Sequence, residues 1–246
     1  MPDYQDIKLL KRLFYPLRTT PFHPQWLVLR QGGVSKTKLI EEMQGLVLDV
    51  GCGDRWIERE LPADCQYVGL DYPATVNIGY EGKPTLFGDG QNLAFADGSF
   101  DVVIIMDVLE HMEHPGMAIQ EAWRVLKPSG KLLVQVPFLY PLHDEPYDFQ
   151  RWTEYGLKKL LQQTGFKIKT IKAYGSPIET AAGLLAISIA KAVLDAGKEK
   201  HLGLLLSPVL VLSIPIINSV GWLLAKLLPQ STMMPLSYRI FAVKVQ

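Results

Sequence analysis

The stretch LVLDVGCGD, residues 46–54, decides the fold because a short apolar run ends there in a glycine-rich turn. A run of five residues, four of them apolar, with glycine on either side is typical of a buried parallel strand. Gly51 and Gly53 allow the chain to turn sharply and allow a ligand to approach the backbone. In open α/β sheets ligands bind beyond the carboxyl ends of the strands, so this turn is the first candidate for a site.

The same pattern recurs along the chain and predicts a doubly wound α/β sheet. The further runs are YVGLD (67–71), TLFGD (85–89), VVIIM (102–106) and KLLVQVP (131–137). Helical stretches such as 115–127 lie between them and would cover both faces of the sheet. Two alternating runs, FKIKTIKAYG (166–175) and YRIFAVKV (238–245), predict an antiparallel pair at the sheet edge. We therefore expect a Rossmann-like sheet of seven strands whose last strand is antiparallel.

The sequence divides into four predicted segments. They are an N-terminal helical segment (1–40), a cofactor-binding core (41–177), an apolar helical insert between the last two strands (178–232) and a final edge strand of the core (233–246). The first segment carries seven Lys or Arg against two acids, whereas the core carries twelve against twenty. An acidic core argues against a nucleic-acid partner and favours a neutral or cationic ligand.

Acidic residues stand where the predicted strands end. They are Asp49, Asp54, Asp71, Asp89 and Asp107. Carboxylates around one crevice would repel a pyrophosphate but would suit a ligand that carries an ammonium and a sulfonium group. The third glycine of a dinucleotide fingerprint would fall on Trp56, which weakens a nicotinamide interpretation.

Four motifs occur in a fixed order between residues 46 and 137. They are VLDVGCGD, VGLD, GDGQNLAFADGSFDVVIIMDVLEHMEHP and RVLKPSGKLLVQVP. In this order and spacing they resemble the class I S-adenosylmethionine-dependent methyltransferases, in particular the group typified by small-molecule methyltransferases of ubiquinone biosynthesis. The resemblance implies S-adenosyl-L-methionine (SAM) as the cofactor and methyl transfer as the activity.

The resemblance also implies which residues contact the cofactor. Asp49 and the Gly51–Gly53 turn, with Cys52 inside it, would hold the methionine end. Asp71 would accept hydrogen bonds from the ribose hydroxyls, with Tyr72 beside it. The residues implied at the adenine are Asp89, Gly90 and Gln91, and those implied beneath the sulfonium are Asp107, Val108 and His111.

The loop after the fifth predicted strand, PFLYPLHDEPYDFQRWT (137–153), is expected on the acceptor side of the crevice. Methyl transfer depends on positioning, and a base helps only if the acceptor must lose a proton. His143, close in sequence to Asp148, is a candidate catalytic base because imidazole titrates near neutrality. Alternatively, His143 and Asp148 fasten the loop through hydrogen bonds, while Arg151 pairs with an acid.

A metal site is not expected from the sequence. His111 and His114, with Glu110 and Glu113 beside them, could present two ligands from one helix. A third ligand is not evident, and the segment already belongs to a methyltransferase motif.

The longest apolar run, 202–228, is long enough to span a membrane. A single crossing would strand the final strand on the far side, and the earlier run 181–194 is short. Pro208 and Pro215 are expected to divide the long run into pieces of about thirteen residues. Such pieces suit peripheral contact with a membrane through 178–232. A lid over the crevice or a homodimer interface is the alternative.

Taken together, the sequence predicts a SAM-dependent methyltransferase that acts on an oxygen or carbon of a hydrophobic or lipid-linked acceptor. Two cysteines are too few for a disulfide framework, and the first residues lack the apolar segment of a secretion signal. We therefore expect a cytoplasmic protein, at or near the cytoplasmic face of the membrane. A nicotinamide-dependent oxidoreductase and a non-catalytic membrane-associated scaffold are the alternatives.

Overall fold

A computed structural model of the chain describes residues 15–32, 38–78 and 82–245. Residues 1–14 and 33–37 of the predicted N-terminal helical segment lie outside the described residues. The chain divides into two compact units. The helical unit comprises Met1–Gly33, Leu139–Pro141 and Tyr174–Leu236, and the sheet unit comprises Val34–Phe138, Leu142–Ala173 and Ser237–Gln246.

A seven-stranded sheet confirms the predicted fold class. The strands are β1 (Leu46–Val50), β2 (Gln66–Asp71), β3 (Leu86–Phe87), β4 (Phe100–Met106), β5 (Leu126–Pro137), β6 (Phe166–Tyr174) and β7 (Ser237–Lys244). Their order across the sheet is β3-β2-β1-β4-β5-β7-β6. β1 pairs in parallel with β2 and β4, whereas β7 pairs antiparallel with β5. The carboxyl ends of the parallel strands therefore meet along one edge, as a Rossmann-like site requires.

The predicted edge position of the last strand is wrong. β7 lies between β5 and β6, so β6 forms the edge of the sheet. The reason lies in the side chains that each strand carries. β7 buries Ile240 and Ala242, whereas β6 exposes Lys167, Lys169 and Lys172. A strand that carries exposed lysines is suited to an edge because these charges oppose pairing with a further strand.

The described residues form six α-helices. They are α1 (Trp26–Gly32), α2 (Lys38–Glu41), α3 (Pro115–Val125), α4 (Glu154–Gln163), α5 (Pro177–Lys198) and α6 (Ser207–Leu227). α4 begins where the Thr153 side chain accepts a hydrogen bond from the backbone N–H of Gly156. It ends just before Gly165, which adopts φ +100°, a conformation that glycine commonly takes after the last turn of a helix.

Both faces of the central strands are covered within the sheet unit. Leu48 and Val103 belong to a buried cluster that includes Ile119 of α3. Their chain neighbours Val47 and Val102 belong to a second cluster. Successive residues of a strand point to opposite faces, so the two clusters lie on opposite sides of the sheet. This two-sided burial explains why the strands read as continuous apolar runs.

α5 and α6 form the predicted apolar insert between β6 and β7, but they are longer than the sequence suggested. α5 has 22 residues, and α6 has 21 residues and continues through Pro215, which was expected to divide it. A proline inside a helix removes one backbone hydrogen bond. Ile214 and Asn218, on either side of Pro215, are buried on the same helix face. This packing outweighs the lost bond, whereas Pro208 lies in the first turn, where proline is tolerated.

The two faces of α6 differ sharply. One face is buried, and there Asn218 Nδ2 donates hydrogen bonds to the carbonyl oxygens of Pro21 (2.7 Å) and His23 (3.0 Å). The other face exposes large apolar side chains at helical spacing, starting in the turn that precedes α6. We call these residues the apolar stripe: Leu205, Val209, Leu212, Ile216, Val220, Leu223 and Leu227. By length and composition alone, Pro177–Lys198 and Leu202–Leu227 could each cross a membrane.

Candidate functional site

The glycine turn after β1 is anchored to β2. The backbone N–H groups of Gly51 and Cys52 donate to the carbonyl oxygen of Leu70 at 2.8 and 3.1 Å. Gly51 and Gly53 adopt φ +75° and +50°, which L side chains rarely accept. A Cβ on Gly51 would lie 2.3 Å from Cγ2 of Val108. Both the backbone conformation and the space therefore require glycine where the sequence predicted a close ligand approach.

Two buried carboxylates stand beside this turn. Asp71 accepts hydrogen bonds from the backbone N–H of Gly53 (2.9 Å) and of Tyr72 (2.8 Å). Asp49 accepts one from the Tyr67 hydroxyl at 2.7 Å. Burial raises the pKa of Asp49 to about 7, with the Tyr67 hydrogen bond opposing the rise and the charge of Asp71 adding to it. Two carboxylates therefore lie close together at the carboxyl ends of β1 and β2, and one of them, Asp49, changes its charge near neutral pH.

The end of β3 is ordered by short-range hydrogen bonds. Asp89 accepts from the backbone N–H of Gln91 at 2.8 Å, and Gln91 Oε1 accepts from the backbone N–H of His114 at 2.8 Å. Gly90 is buried between them. Asp54, in contrast, is exposed, and its carboxylate pairs with Arg59 at 3.5 Å. Of the carboxylates predicted to surround the crevice, Asp49 and Asp71 are buried, whereas Asp54 lies at the surface.

Asp107, at the end of β4, is held by a network that the sequence did not predict. It adopts φ +54°, an unusual conformation for a residue other than glycine. Gln135 Nε2 donates to Asp107 Oδ2 at 2.7 Å, and Arg239 donates to Gln135 Oε1 from Nε (2.9 Å) and Nη2 (2.6 Å). Gln135 and Arg239 are buried. Their only signal in the sequence was a polar residue inside each apolar run of β5 and β7.

The predicted acceptor loop lies against the turn that follows β4. The backbone N–H of Phe149 donates to the carbonyl oxygen of Glu110 at 2.9 Å. His111 Nδ1 lies 3.0 Å from the carbonyl oxygen of Tyr147. These contacts bring the loop to the carboxyl end of β4, beside Asp107.

His143 and Asp148, predicted as a catalytic pair, are in contact. Asp148 Oδ2 lies 3.0 Å from the backbone nitrogen of His143, which donates to it, and 3.2 Å from the ring Nδ1. Arg151 donates to both oxygens of Asp148, from Nη2 at 2.7 Å and from Nη1. Burial would raise the pKa of Asp148, but the hydrogen bonds from Arg151 and His143 outweigh it and hold that pKa at about 2. The Asp148 carboxylate thus both orients the His143 ring and fastens the loop. The two roles predicted for this pair, catalytic and structural, therefore depend on the same contact.

Glu110 is fully buried next to these histidines. Among the described residues, none donates a hydrogen bond to either of its carboxylate oxygens. Burial raises its pKa well above the ordinary value, and the charge of Asp107 adds to the rise. His111 Nε2 and His143 Nε2 each lie 3.8 Å from Glu110 Oε1. His114, which the sequence grouped with His111, is exposed and outside this cluster.

Comparisons with known proteins identify the family to which the central part of this chain is similar. Residues 48–134 match the methyltransferase domain family. The chain is 31% identical over 135 residues to a Mycolicibacterium smegmatis protein named "probable S-adenosylmethionine-dependent methyltransferase", a match that covers 50% of the chain and 52% of the relative. It is 34% identical over 124 residues to the mitochondrial 2-methoxy-6-polyprenyl-1,4-benzoquinol methylase of Xenopus laevis, covering 48% and 37%. The chain thus spans about half, or less, of the length of these curated relatives.

A solved structure shares the fold over nearly the whole chain. A SAM-dependent methyltransferase of Thermotoga maritima superposes with a TM-score of 0.52 and covers 98% of this chain and 97% of its own. The two sequences are 16% identical, so this likeness concerns the fold alone.

Proposed function

We propose that the protein transfers a methyl group from SAM to an oxygen or carbon of a hydrophobic or lipid-linked acceptor. The premise is that this chain carries a domain of the class I S-adenosylmethionine-dependent methyltransferase family. The observation that carries the proposal is the pairing of the Gly51–Gly53 turn with the buried carboxylates Asp49 and Asp71, inside the matched segment 48–134. SAM supplies an electrophilic methyl group on a sulfonium. The residues around it bind the cofactor and position and activate the acceptor.

The residues present fit this cofactor. Glycine at position 51 lets the turn adopt its positive φ and pack closely against the Val108 side chain, and the buried carboxylates provide negative charge for a cationic ligand. We assign Asp49, the Gly51–Gly53 turn with Cys52, Asp71 and Tyr72 to the methionine and ribose parts. The remaining cofactor residues of this proposal are Asp89, Gly90 and Gln91 for the adenine, and Asp107, Val108 and His111 beneath the sulfonium.

On the acceptor side, we assign His143 and Asp148 to acceptor activation. Asp148 lies 3.2 Å from Nδ1, and a ring nitrogen that faces a carboxylate carries the proton. Nε2 is then the atom of His143 that can act on an acceptor. Asp148 itself is held ionised by Arg151, so it orients the ring and does not take up the proton.

The helical unit supports a hydrophobic acceptor and contact with a membrane. The apolar stripe extends over about 33 Å at 1.5 Å per residue. α5 and α6 also border an open groove of about 520 Å³ whose lining, from Pro177 to Leu224, is apolar. A contiguous exposed apolar surface of this kind marks an interaction site. The polyprenyl group in the name of the Xenopus relative belongs to that protein, and it agrees with an apolar acceptor here.

Charged and aromatic residues favour a helix that lies in the membrane interface. Lys226 Nζ lies 4.0 Å from the centre of the Trp222 ring, and the Arg30 guanidinium lies over the same ring. Trp with Lys or Arg is the usual combination at a membrane interface. Lys191 pairs with Asp195 on an exposed part of α5, which disfavours burial of that helix in hydrocarbon. We therefore propose peripheral contact through 178–232 at the cytoplasmic face of the membrane.

Cofactor binding is the first test. Calorimetric titration of the full chain with S-adenosylhomocysteine should give saturable binding, and Asp71→Ala should weaken it about 100-fold because the ribose loses its carboxylate partner. Asp64→Ala is the matched control, since Asp64 is exposed and lies at the opposite end of β2. A well-folded protein without binding, or equal affinity in the two variants, would overturn the assignment.

The acceptor and the membrane are tested separately. Labelled methyl from SAM should enter the lipid fraction of a cell extract and not the aqueous fraction. The purified chain should also float with vesicles of phosphatidylcholine and phosphatidylglycerol. If it instead forms dimers in proportion to its concentration and stays below the vesicles, the insert is a homodimer interface. If it remains a monomer that does not float, the insert is a lid.

A further inference from the structure

The carboxylate of Glu110 is the feature that the proposed methyl transfer leaves unexplained. A buried carboxylate is stable only when hydrogen bonds or a cation offset the loss of water. No described residue supplies such a donor to either oxygen of Glu110. Its backbone, in contrast, is engaged, because its carbonyl oxygen accepts from Phe149. The side chain is therefore fixed in place without a hydrogen-bond donor to either carboxylate oxygen among the described residues.

Two imidazole rings converge on the same oxygen. His111 and His143 each place Nε2 3.8 Å from Glu110 Oε1, and the three ligand atoms lie within 4.8 Å of one another. The rings meet edge to face, with centroids 4.7 Å apart. A spacing of 3.8 Å is too long for a hydrogen bond, so the histidines do not satisfy the carboxylate directly.

The other nitrogen of each ring is already engaged with an oxygen. His111 Nδ1 faces the carbonyl oxygen of Tyr147 at 3.0 Å, and His143 Nδ1 faces Asp148 at 3.2 Å. A neutral imidazole that donates from Nδ1 carries its lone pair on Nε2. Metal-binding histidines show this pattern, because a carbonyl or carboxylate on the far nitrogen fixes the tautomer and the ring orientation.

We propose that Glu110, His111 and His143 bind a divalent transition-metal ion of the Zn²⁺ class. Two imidazole nitrogens and one carboxylate oxygen form a ligand set that suits this class. A tetrahedral ion with bonds of about 2.1 Å holds its ligand atoms about 3.4 Å apart. The two separations of 3.8 Å need to shorten by a few tenths of an ångström, and the separation between the two imidazole nitrogens, which is up to 4.8 Å, needs to shorten further. Asp144, whose carboxylate lies 3.9 Å from His111 Nε2, stands at the rim of the site.

Three protein ligands leave one position of a tetrahedral ion open, as catalytic sites of this type do. If the proposed function holds, that open position favours an acceptor oxygen over an acceptor carbon, because oxygen can coordinate the ion. The ion would occupy Nε2 of His143, so in the metal-loaded protein coordination to the ion would replace proton transfer to His143 as the means of activating the acceptor. Ion binding itself does not depend on methyl transfer. The two proposals can therefore fail independently.

Binding of Co²⁺ and Zn²⁺ to the tag-free full chain, stripped of metal with a chelator, tests the site. Co²⁺ should bind one ion per chain and produce visible absorption bands that Zn²⁺ removes on competition. Glu110→Gln and His143→Ala should each weaken binding at least tenfold, because each removes one of three ligands. His114→Ala is the matched control, since His114 is exposed and outside the cluster; it should bind as the unaltered chain does.

Binding of S-adenosylhomocysteine to the same variants separates a lost ligand from a lost fold. His143→Ala should retain it, since His143 is not among the proposed cofactor residues. The proposal is overturned if the unaltered chain binds no Co²⁺, or if Glu110→Gln and His114→Ala bind it equally. A chain that binds Co²⁺ but not S-adenosylhomocysteine would retain the metal site and contradict the proposed function.

Discussion

The two units of this protein use apolar helices in opposite ways. In the sheet unit, α3 directs its apolar face into the core and buries Ala118, Ile119 and Val125. In the helical unit, α6 is more apolar, yet its buried face consists of Ile214, Asn218, Gly221 and Ala225, while the apolar stripe is exposed. Hydrophobic content alone therefore does not tell which side chains form a core. The sheet unit thus buries the apolar face of its helix, whereas the helical unit leaves an apolar helix face exposed, where a membrane or another protein surface can contact it.

The largest effect should come from truncating one leucine in each unit. Leu48→Ala empties a fully buried position in β1 and should lower the free energy of unfolding by about 3 kcal/mol. Leu212→Ala, in the apolar stripe, should change it by less than about 0.5 kcal/mol, because Leu212 is 66% exposed. Urea denaturation without lipid, followed by circular dichroism, measures both. Equal losses would show that Leu212 is covered in the free protein, which a homodimer would explain.

Two acidic substitutions in the apolar stripe should weaken membrane contact without changing cofactor binding. The double change Leu212→Asp and Ile216→Asp should reduce vesicle flotation about thirtyfold, because two apolar side chains no longer enter the membrane interface. S-adenosylhomocysteine affinity should stay the same. Tyr155→Asp, an equally exposed position in the sheet unit, is the control and should float normally. If Tyr155→Asp alone lost flotation, the membrane contact would lie on the sheet unit and not on the apolar stripe.

A smaller effect should follow from the one polar side chain on the buried face of α6. Asn218→Ala removes the hydrogen bonds to the carbonyl oxygens of Pro21 and His23, although that of His23 still accepts from the backbone N–H of Trp26, at a cost of about 1.5 kcal/mol. Hydrogen exchange should accelerate in α1 and the segment before it, while exchange in β1 and β4 should stay slow. Asn92→Ala, at an exposed position, is the control. Unchanged exchange around residues 21–32 would mean that these hydrogen bonds do not hold the segment.

The smallest effect concerns the pH dependence of cofactor binding in the sheet unit. Asp49 has a pKa of about 7, so it loses its charge as the pH falls through 7, and affinity for SAM should decline there. Tyr67→Phe removes a hydrogen bond that lowers this pKa, so the decline should begin at a higher pH. Affinity at pH 8.5 should fall less than about tenfold. Calorimetry between pH 6 and 8.5 measures the profile, and identical profiles would exclude Asp49 as the group that titrates.

Sequence alone predicted the sheet and the place of the glycine turn beside Asp71 because both depend on local patterns. A buried parallel strand must be apolar on both faces, and a tight turn at positive φ requires glycine. LVLDVGCGD satisfies both conditions within nine residues. Asp71 could be placed because the end of one parallel strand always lies beside the end of its neighbour. These features need no knowledge of distant contacts.

Tertiary structure decided the rest because the partners are far apart in the chain. His143 reaches Glu110 across 33 residues, and Arg239 reaches Gln135 across 104 residues. No spacing in the sequence specifies such a meeting, since a loop can place a side chain on many parts of a sheet edge. The same reason applies to Pro215 and to β7. Local rules predict a break and an edge, but packing against neighbouring elements determines whether a helix continues and where a strand lies.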